Sequence, residues 1–362
     1  MSRSHDTTHH CAAWQPSFLH VVNAMSTRQL DAQTRVSGCP LVLLLPVFND
    51  WESARLLLPT IGDTLSDSGF RAGIVLIDDG STNPAPPDIR AFDQEGVSGV
   101  AVVRLRRNLG HQRAIAIGLA LIREHLPDAV VVVMDADGED QSSDIPRLLD
   151  RFCQGGAHEI VFAQRIRRTE GPVFRAFYWL YRTLHHALTG IKVQVGNFSV
   201  IPPQSLGALT VSSDLWNHFA ATVFQSRLPY AMVPTARGKR LSGHSHMNYV
   251  SLVTHGLGAI SVFSDRVGVR ILIATAALLS LIVLSVAGAL ALWLVGMNSF
   301  PLWAAIVSCF VLLLLFQLCL AAGLFVLLVL FSRAGASFIP ARDYVQFVNS
   351  NDCRAISDFS RL

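Results

Sequence analysis

Two carboxylates separated by one residue, Asp135 and Asp137, follow directly on the apolar run Ala129-Val-Val-Val-Val-Met134. Such a run reads as a buried strand, so the two aspartates stand at its exit. Carboxylates at a strand exit carry a desolvation cost unless a cation compensates them. A divalent metal, Mg2+ or Mn2+, sharing its coordination with diphosphate oxygens would do so. It would also stabilise charge developing on a departing diphosphate. Glu139 and Asp140 stand close enough to add a ligand. An acidic loop capping the next helix accounts for the same residues, because D-x-D is a common pattern.

Three other polar clusters interrupt apolar runs. Asp78-Asp79-Gly80-Ser81-Thr82 offers carboxylates that can accept hydrogen bonds from a nucleobase or ribose, with Gly80 permitting a sharp turn. D-G-S is equally a favoured solvated turn. Arg107-Asn108-Leu109-Gly110-His111-Gln112 opens a helix. There Gly110 allows close backbone approach and the helix N-terminus attracts phosphate. His111 also reads as a hydrogen-bonding residue at a helix start. Phe48-Asn49-Asp50 follows the first apolar run, Leu41-Val-Leu-Leu-Leu45, which ends at Pro46.

The elements that must hold these clusters alternate. Strands are expected at 41–45, 73–77, 100–105, 129–134 and 159–163, with helices over 51–65 and about 112–124. Buried strands alternating with helices indicate an α/β domain with a mostly parallel sheet covered on both faces. In such sheets ligands bind beyond the carboxyl ends of the strands, where all four clusters lie.

The hydrophobic fraction is 51% and the charged fraction 15%, and the apolarity is concentrated near the C-terminus. No charge falls between Ile271 and Val295, and Gln317 is the only strongly polar side chain between Leu302 and Phe331. Each run exceeds the roughly 20 residues a helix needs to cross a bilayer. A short uncharged connection, Gly296–Pro301, makes them a hairpin. Arg266 and Arg270 before it, with Arg333 and Arg342 after it, place the bulk of the chain and its tail in the cytosol. The net charge of +3 is too small to imply nucleic acid. Six cysteines without C-x-x-C spacing suggest neither a disulfide framework nor a zinc site. The expected organisation is an irregular extension over 1–39, a catalytic domain over 40–240 and an interface segment over 241–270. Two membrane helices over 271–331 and a cytosolic tail over 332–362 complete it. His5, His9, His10 and Cys11 fall in the extension. The aromatic, basic stretch Phe174–Leu188 and the apolar segment Tyr249–Phe263 suit either a membrane interface or packing on the domain.

Pro46-Val-Phe-Asn-Asp50, Asp78-Asp-Gly-Ser81, Arg107-Asn-Leu-Gly-His-Gln112 and Asp135-Ala-Asp137 occur in the order and spacing of family 2 glycosyltransferases. More narrowly, the chain resembles the polyprenyl-phosphate group, which includes dolichol-phosphate mannose synthases and bacterial undecaprenyl-phosphate sugar transferases. The likeness covers about residues 40–335 and takes in Gly196-Asn-Phe-Ser199 and Arg240-Leu-Ser-Gly-His-Ser-His-Met-Asn248. It implies a GT-A-like domain, a nucleotide-diphosphate-sugar donor, a divalent metal and a lipid-phosphate acceptor. Pro46, Phe48, Asn49, Asp50, Asp78, Asp79, Gly110, His111 and Asp135 would line the donor, and Asp135, Asp137 and Glu139 the metal. Arg165, Arg237, Arg240 and His246 would meet the acceptor phosphate, with Asp135, Asp137 and Arg165 carrying the inverting transfer. His246 stands where many relatives have Lys, and Glu139 where many have Gln. The resemblance further implies an integral membrane protein of the bacterial inner membrane, with its catalytic domain cytosolic and acting in cell-envelope glycan assembly. It is compatible with a homo-oligomer.

Three rival readings exist. A processive polysaccharide synthase would carry Q-x-x-R-W, and Gln164-Arg-Ile-Arg-Arg168 lacks the tryptophan. A catalytically silent membrane scaffold would not need carboxylates at three strand ends. A dinucleotide dehydrogenase would carry G-x-G-x-x-G after the first strand, which is absent here.

Overall fold

The computed structural model describes residues 39–165, 183, 185–191, 195–243, 249–295, 302–334, 338–349 and 356. The extension before residue 39, most of the stretch 174–188, His246 and the connection 296–301 lie outside the described residues. The expected alternation of strands and helices is present. β1 (Leu41–Val47), α1 (Trp51–Asp67), β2 (Ala72–Asp78), α2 (Pro87–Arg90), β3 (Val97–Arg104), α3 (His111–His125) and β4 (Val130–Val133) come first. α4 (Ile145–Gln154), β5 (Ile160–Arg165), β6 (Ser199–Ile201), α5 (Pro203–Thr210), α6 (Phe219–Gln225) and β7 (Tyr230–Thr235) complete the domain.

The seven strands form one sheet in the order β3-β2-β1-β4-β6-β5-β7, and only β6 runs antiparallel to its neighbours. This is the mostly parallel, helix-covered sheet expected of a GT-A-like domain. β1 lies between β2 and β4, so the order of strands reverses there. The carboxyl ends of these three strands therefore come side by side, and a crevice opens beyond them. The continuous burial of β1, β2 and β4 follows from cover on both faces. On one face α3 lays Ile115, Leu119 and Ile122 against Leu44, Val75 and Ile77. On the other, α1 and α4 lay Leu58, Ile61, Leu148 and Phe152 against Leu43, Leu45 and Leu76.

β6 and β7 have no counterpart among the expected strands. β6 is three residues long, too short for a periodic signal. β7 contains Pro234, which an edge strand tolerates because its missing N–H is not needed for a ladder.

After the sheet, the segment 249–263 is a helix, α7 (Tyr249–Ser261), followed by α8 (Ser264–Leu294) and α9 (Leu302–Ala334). Ser264–Gly288 and Val307–Phe325 are long and apolar enough to cross a membrane, and they bury little of their surface within the chain. α8 begins seven residues before the uncharged run, so Arg266 and Arg270 ride on its first two turns. Arg270 donates to the carbonyls of His186 and Ala187. The foot of this helical pair is fixed at both ends. Phe263 and Val267 enter the core beside α3. Beyond α9, Val348 bridges to Leu105 at the end of β3, and Arg106 donates its N–H to Phe347 O at 2.9 Å. Trp216 packs against Phe338 and Phe347, with the Arg113 guanidinium 5.1 Å from its ring. Both ends of the pair thus return to one domain, as a hairpin requires.

Gly80 is the residue on which the loop after β2 turns. Its φ is +70°, and a Cβ there would lie 2.6 Å from Asn108 N. Gly80→Ala adds both a left-handed backbone strain and a backbone clash. It should destabilise the domain by roughly 1–3 kcal/mol, read from the midpoint of chemical unfolding. A midpoint equal to that of the parent would show that the loop closes another way.

Candidate active site

The loops beyond β1 and β2 are laced together before they meet anything else. Asn49, at φ +54°, accepts from the Thr82 N–H and hydroxyl at 2.8 and 2.9 Å, and its own N–H donates to Ser81 Oγ. Asp78 accepts from the Ser81 N–H at 2.8 Å and faces Arg104 at 3.7 Å. Asp79 accepts from the N–H groups of Leu109 and Gly110 at 2.7 and 2.8 Å. Both aspartates are buried. In the described structure they therefore shape the walls: Asp78 closes its own turn, and Asp79 clamps the loop that leads into α3. Burial raises the Asp79 pKa, and the two backbone donors work against that rise.

α3 begins at His111, and its first two residues anchor a chain of polar contacts. Gln112 Oε1 accepts from the Phe219 N–H at 2.7 Å, which fixes the orientation of that amide. Its Nε2 then donates to Asn197 Oδ1 at 3.0 Å. Asn197 consequently turns its NH2 toward His111 Nε2, 2.9 Å away. That nitrogen also lies 3.1 Å from Asp135 Oδ1, yet this buried oxygen receives no well-angled hydrogen bond among the described residues. A neutral His111 accepts from Asn197, and a protonated one donates toward Asp135. Burial lowers the His111 pKa, but Asp135, Asp137 and Asp140 together outweigh it and raise it.

The acidic loop after β4 folds back on itself. Asp140 Oδ2 accepts from the Asp135 N–H at 3.0 Å, and Asp137 Oδ1 accepts from the Glu139 N–H at 2.9 Å. Arginines from later in the chain meet it. Arg165, the last residue of β5, pairs with Asp140 at 2.8 Å. Arg237 pairs with Glu139. Arg240 bridges two strand ends, reaching Asp137 at 3.1 Å and also pairing with Asp50. Backbone bonds fasten the same segment: Gly238 N–H to Glu139 O at 2.8 Å, and Leu241 N–H to Asp137 O at 3.0 Å. Residues 237–242 therefore lie directly on the acidic loop.

Crowding separates the acidities. Burial would raise Asp135, yet His111 and Arg165 bring it down to about 2. Burial and then the neighbouring Asp135 charge push Asp137 up to about 6. Asp140 rises for the same two reasons, against the pull of Arg165.

These contacts take in every sequence-named residue except Pro46, which lies in β1, Phe48, which is exposed beyond it, and His246, which lies outside the described residues. Asn197 and Gln112, quoted in the sequence only as parts of motifs, prove to be the link between His111 and α6. The place of Gln112 just ahead of the apolar run Ala114–Ile122 was the available signal. Asp140 is the buried partner of Arg165, and Glu139 is engaged by Arg237.

Residues 43–206 match the family model described as Glycosyl transferase family 2. This segment is therefore a family 2 glycosyl transferase domain. Among curated proteins, the chain is 30% identical over 164 residues to the bactoprenol glucosyl transferase of Shigella phage SfX. That match covers 44% of this chain and 51% of the relative. The chain is also 33% identical over 113 residues to the undecaprenyl-phosphate 4-deoxy-4-formamido-L-arabinose transferase of Edwardsiella ictaluri (strain 93-146), covering 31% and 34%. The chain spans about half or less of the length of these relatives. Glucosyl-3-phosphoglycerate synthase from Mycobacterium tuberculosis, solved with Mn2+ and UDP-glucose, aligns over 70% of this chain and 85% of its own. That alignment has a TM-score of 0.49 and 17% identity.

A raised carboxyl pKa fixes the sign of a stability effect. The fold favours the protonated form of Asp137, so its contribution is present below about pH 4 and is lost as the pH rises through 6. Asp137→Asn removes that loss. The metal-free variant should be more stable than the parent at pH 7.5 by roughly 1–3 kcal/mol and indistinguishable from it near pH 4. Thermal unfolding at the two pH values checks this. A variant less stable at pH 7.5 would mean that the Arg240 pair outweighs the crowding.

Proposed function

We propose that the chain transfers a sugar from a nucleotide-diphosphate-sugar to a polyprenyl phosphate at the cytosolic membrane face, with a divalent metal. The observation that carries this reading is the crowded carboxylate pair at the strand ends, on a domain to which both feet of an apolar hairpin are fastened. The named acceptor class of the undecaprenyl-phosphate and bactoprenol relatives supports the lipid.

Asp135 and Asp137 are suited to a divalent cation. The Asp135 Oδ1 atom is buried without a hydrogen-bond donor among the described residues, and Asp137 ionises reluctantly even beside Arg240. No group of three His, Cys, Asp or Glu among the described residues forms a ready-made metal cluster. Mg2+ and similar ions commonly take one or two carboxylates together with substrate phosphates, which suits this pair. The bound metal would offset the charge of the diphosphate as the sugar leaves. Glu139, paired with Arg237 as Asp137 is with Arg240, completes the proposed ligand set.

The arginines then exchange partners. Arg240 and Arg237 neutralise the acidic loop without donor, and donor binding frees them for phosphate oxygens, which the guanidinium fork grips in two places. Arg165, paired with Asp140 at 2.8 Å, stands with them as a candidate for the acceptor phosphate. A lipid phosphate is already an anion near neutral pH, so its oxygen needs little help from a general base. Catalysis rests on alignment and charge stabilisation. A single displacement at the anomeric carbon inverts its configuration.

The purified full-length chain, given undecaprenyl phosphate and a panel of radiolabelled nucleotide-sugars with Mg2+ or Mn2+, should label the lipid with one donor class. Asp137→Ala should reduce transfer by at least about 100-fold while leaving the protein in the membrane fraction. Full transfer by that variant would sink the metal assignment. Donor-independent silence of the parent would favour the scaffold reading.

The hairpin reading has its own check. With native cysteines replaced by serine, Asn298→Cys should react with a membrane-impermeant thiol reagent added outside spheroplasts. Val345→Cys should react only after permeabilisation. Labelling of both from outside would reverse the orientation.

A further inference from the structure

Two histidines outside the carboxylate cluster meet where α7 packs on the domain. His218, at the head of α6, accepts the Ala221 N–H on Nδ1 at 3.3 Å, so its proton sits on Nε2. That Nε2 lies 3.3 Å from His255 Nε2 on α7, with the ring centroids 4.6 Å apart. A donor at His218 requires an acceptor at His255, which places the His255 proton on Nδ1. Burial, and then the charge of a neighbouring histidine, lower both pKa values, His218 to about 3. Both rings are therefore neutral, and the tautomers are set in series from the helix cap outward.

The seating of this pair is specific. Gln112 holds the Phe219 N–H, next to His218, so the same polar chain that orients His111 also locates the histidine pair. A Cβ at Gly258, one turn after His255, would lie 3.2 Å from Asn217 O, so α7 sits close on this corner. His255 lies within the electrostatic reach of His111 and Asp135, and His218 within that of His111 and His185. His255 is half-buried, and its Nδ1 makes no hydrogen bond among the described residues. The helix that carries it leads straight into α8. A fixed donor with no partner among the described residues thus stands on the helix leading to the hairpin, within electrostatic reach of Asp135.

We propose that His255 is an acceptor-binding residue whose Nδ1–H donates to an oxygen of the lipid phosphate monoester, with His218 as the positioning residue that holds it in that tautomer. This rests on the acceptor reading above. It assigns to α7 a direct part in recognition, beyond anchoring.

The side-chain amides separate the roles of the two ring nitrogens. Asn places an N–H near the position of Nδ1, whereas Gln reaches the position of Nε2. Full-length protein in detergent is titrated with undecaprenyl phosphate, undecaprenol and inorganic phosphate, and binding is followed by tryptophan fluorescence and thermal unfolding. The parent should bind undecaprenyl phosphate in preference to the other two. His255→Asn should stay within about threefold of the parent, and His255→Gln and His255→Phe should each weaken binding by roughly tenfold or more. Rescue by Gln and not Asn would overturn the proposal, because His255 would then serve only to tie α7 to His218. Equal binding by the parent and His255→Phe would overturn it as well, leaving the lipid acceptor intact. Parent binding no stronger to the lipid phosphate than to undecaprenol or inorganic phosphate would overturn both this assignment and the lipid acceptor.

Discussion

Like charge crowded at the exit of one buried strand is the constraint around which this protein is arranged. Asp135, Asp137, Glu139 and Asp140 fall within six residues, and Asp50 is drawn in by the sheet. Water screens little of this repulsion, because Asp140 and the Asp135 Oδ1 atom are buried. Carboxylates so placed must be paired, protonated or bound to a cation. Arg165, Arg237 and Arg240 supply the pairing, and Asp137 stays hard to ionise even beside Arg240. The same tension that destabilises the metal-free loop would favour a metal diphosphate when one arrives.

Around that cluster the sheet does two jobs. Its reversal of strand order at β1 brings three strand ends together, and its antiparallel β6 delivers Asn197 from a distant part of the chain. The polar chain Asp135–His111–Asn197–Gln112–Phe219 then runs from the crevice to the foot of the helical pair. Each amide in it has a defined orientation because a backbone N–H fixes the first of them. Chemistry at the strand ends and attachment of α7 are thus parts of one network. The tail beyond α9 closes the arrangement from the opposite side through Trp216 and the end of β3.

The strands and helices that carry the four motifs were legible because burial on both faces leaves continuous apolar runs, and each run ends where polar residues begin. β1 to β5 and α3 lie within a few residues of their expected positions. α8 starts seven residues before its uncharged run, and Arg270 in that part donates to the carbonyls of His186 and Ala187, a contact that periodicity does not record. β6 and β7 escaped because three residues carry no period, and because a proline is tolerated only once the strand is known to be an edge.

The sequence by itself determined which residues stand at the carboxyl ends of the strands, since that follows from local pattern and the direction of the chain. It also placed Asp135 and Asp137 at a strand exit, where burial makes two neighbouring carboxylates need a counter-charge. What only the tertiary structure decided is which groups answer them. Arg240 and Asp50 are 190 residues apart, and Arg237 and Glu139 are 98. Ion pairs and tautomers depend on distance through space, and no local rule connects positions so far apart along the chain. For the same reason no sequence pattern shows that Asp79 holds the N–H groups of Leu109 and Gly110, 30 and 31 residues away.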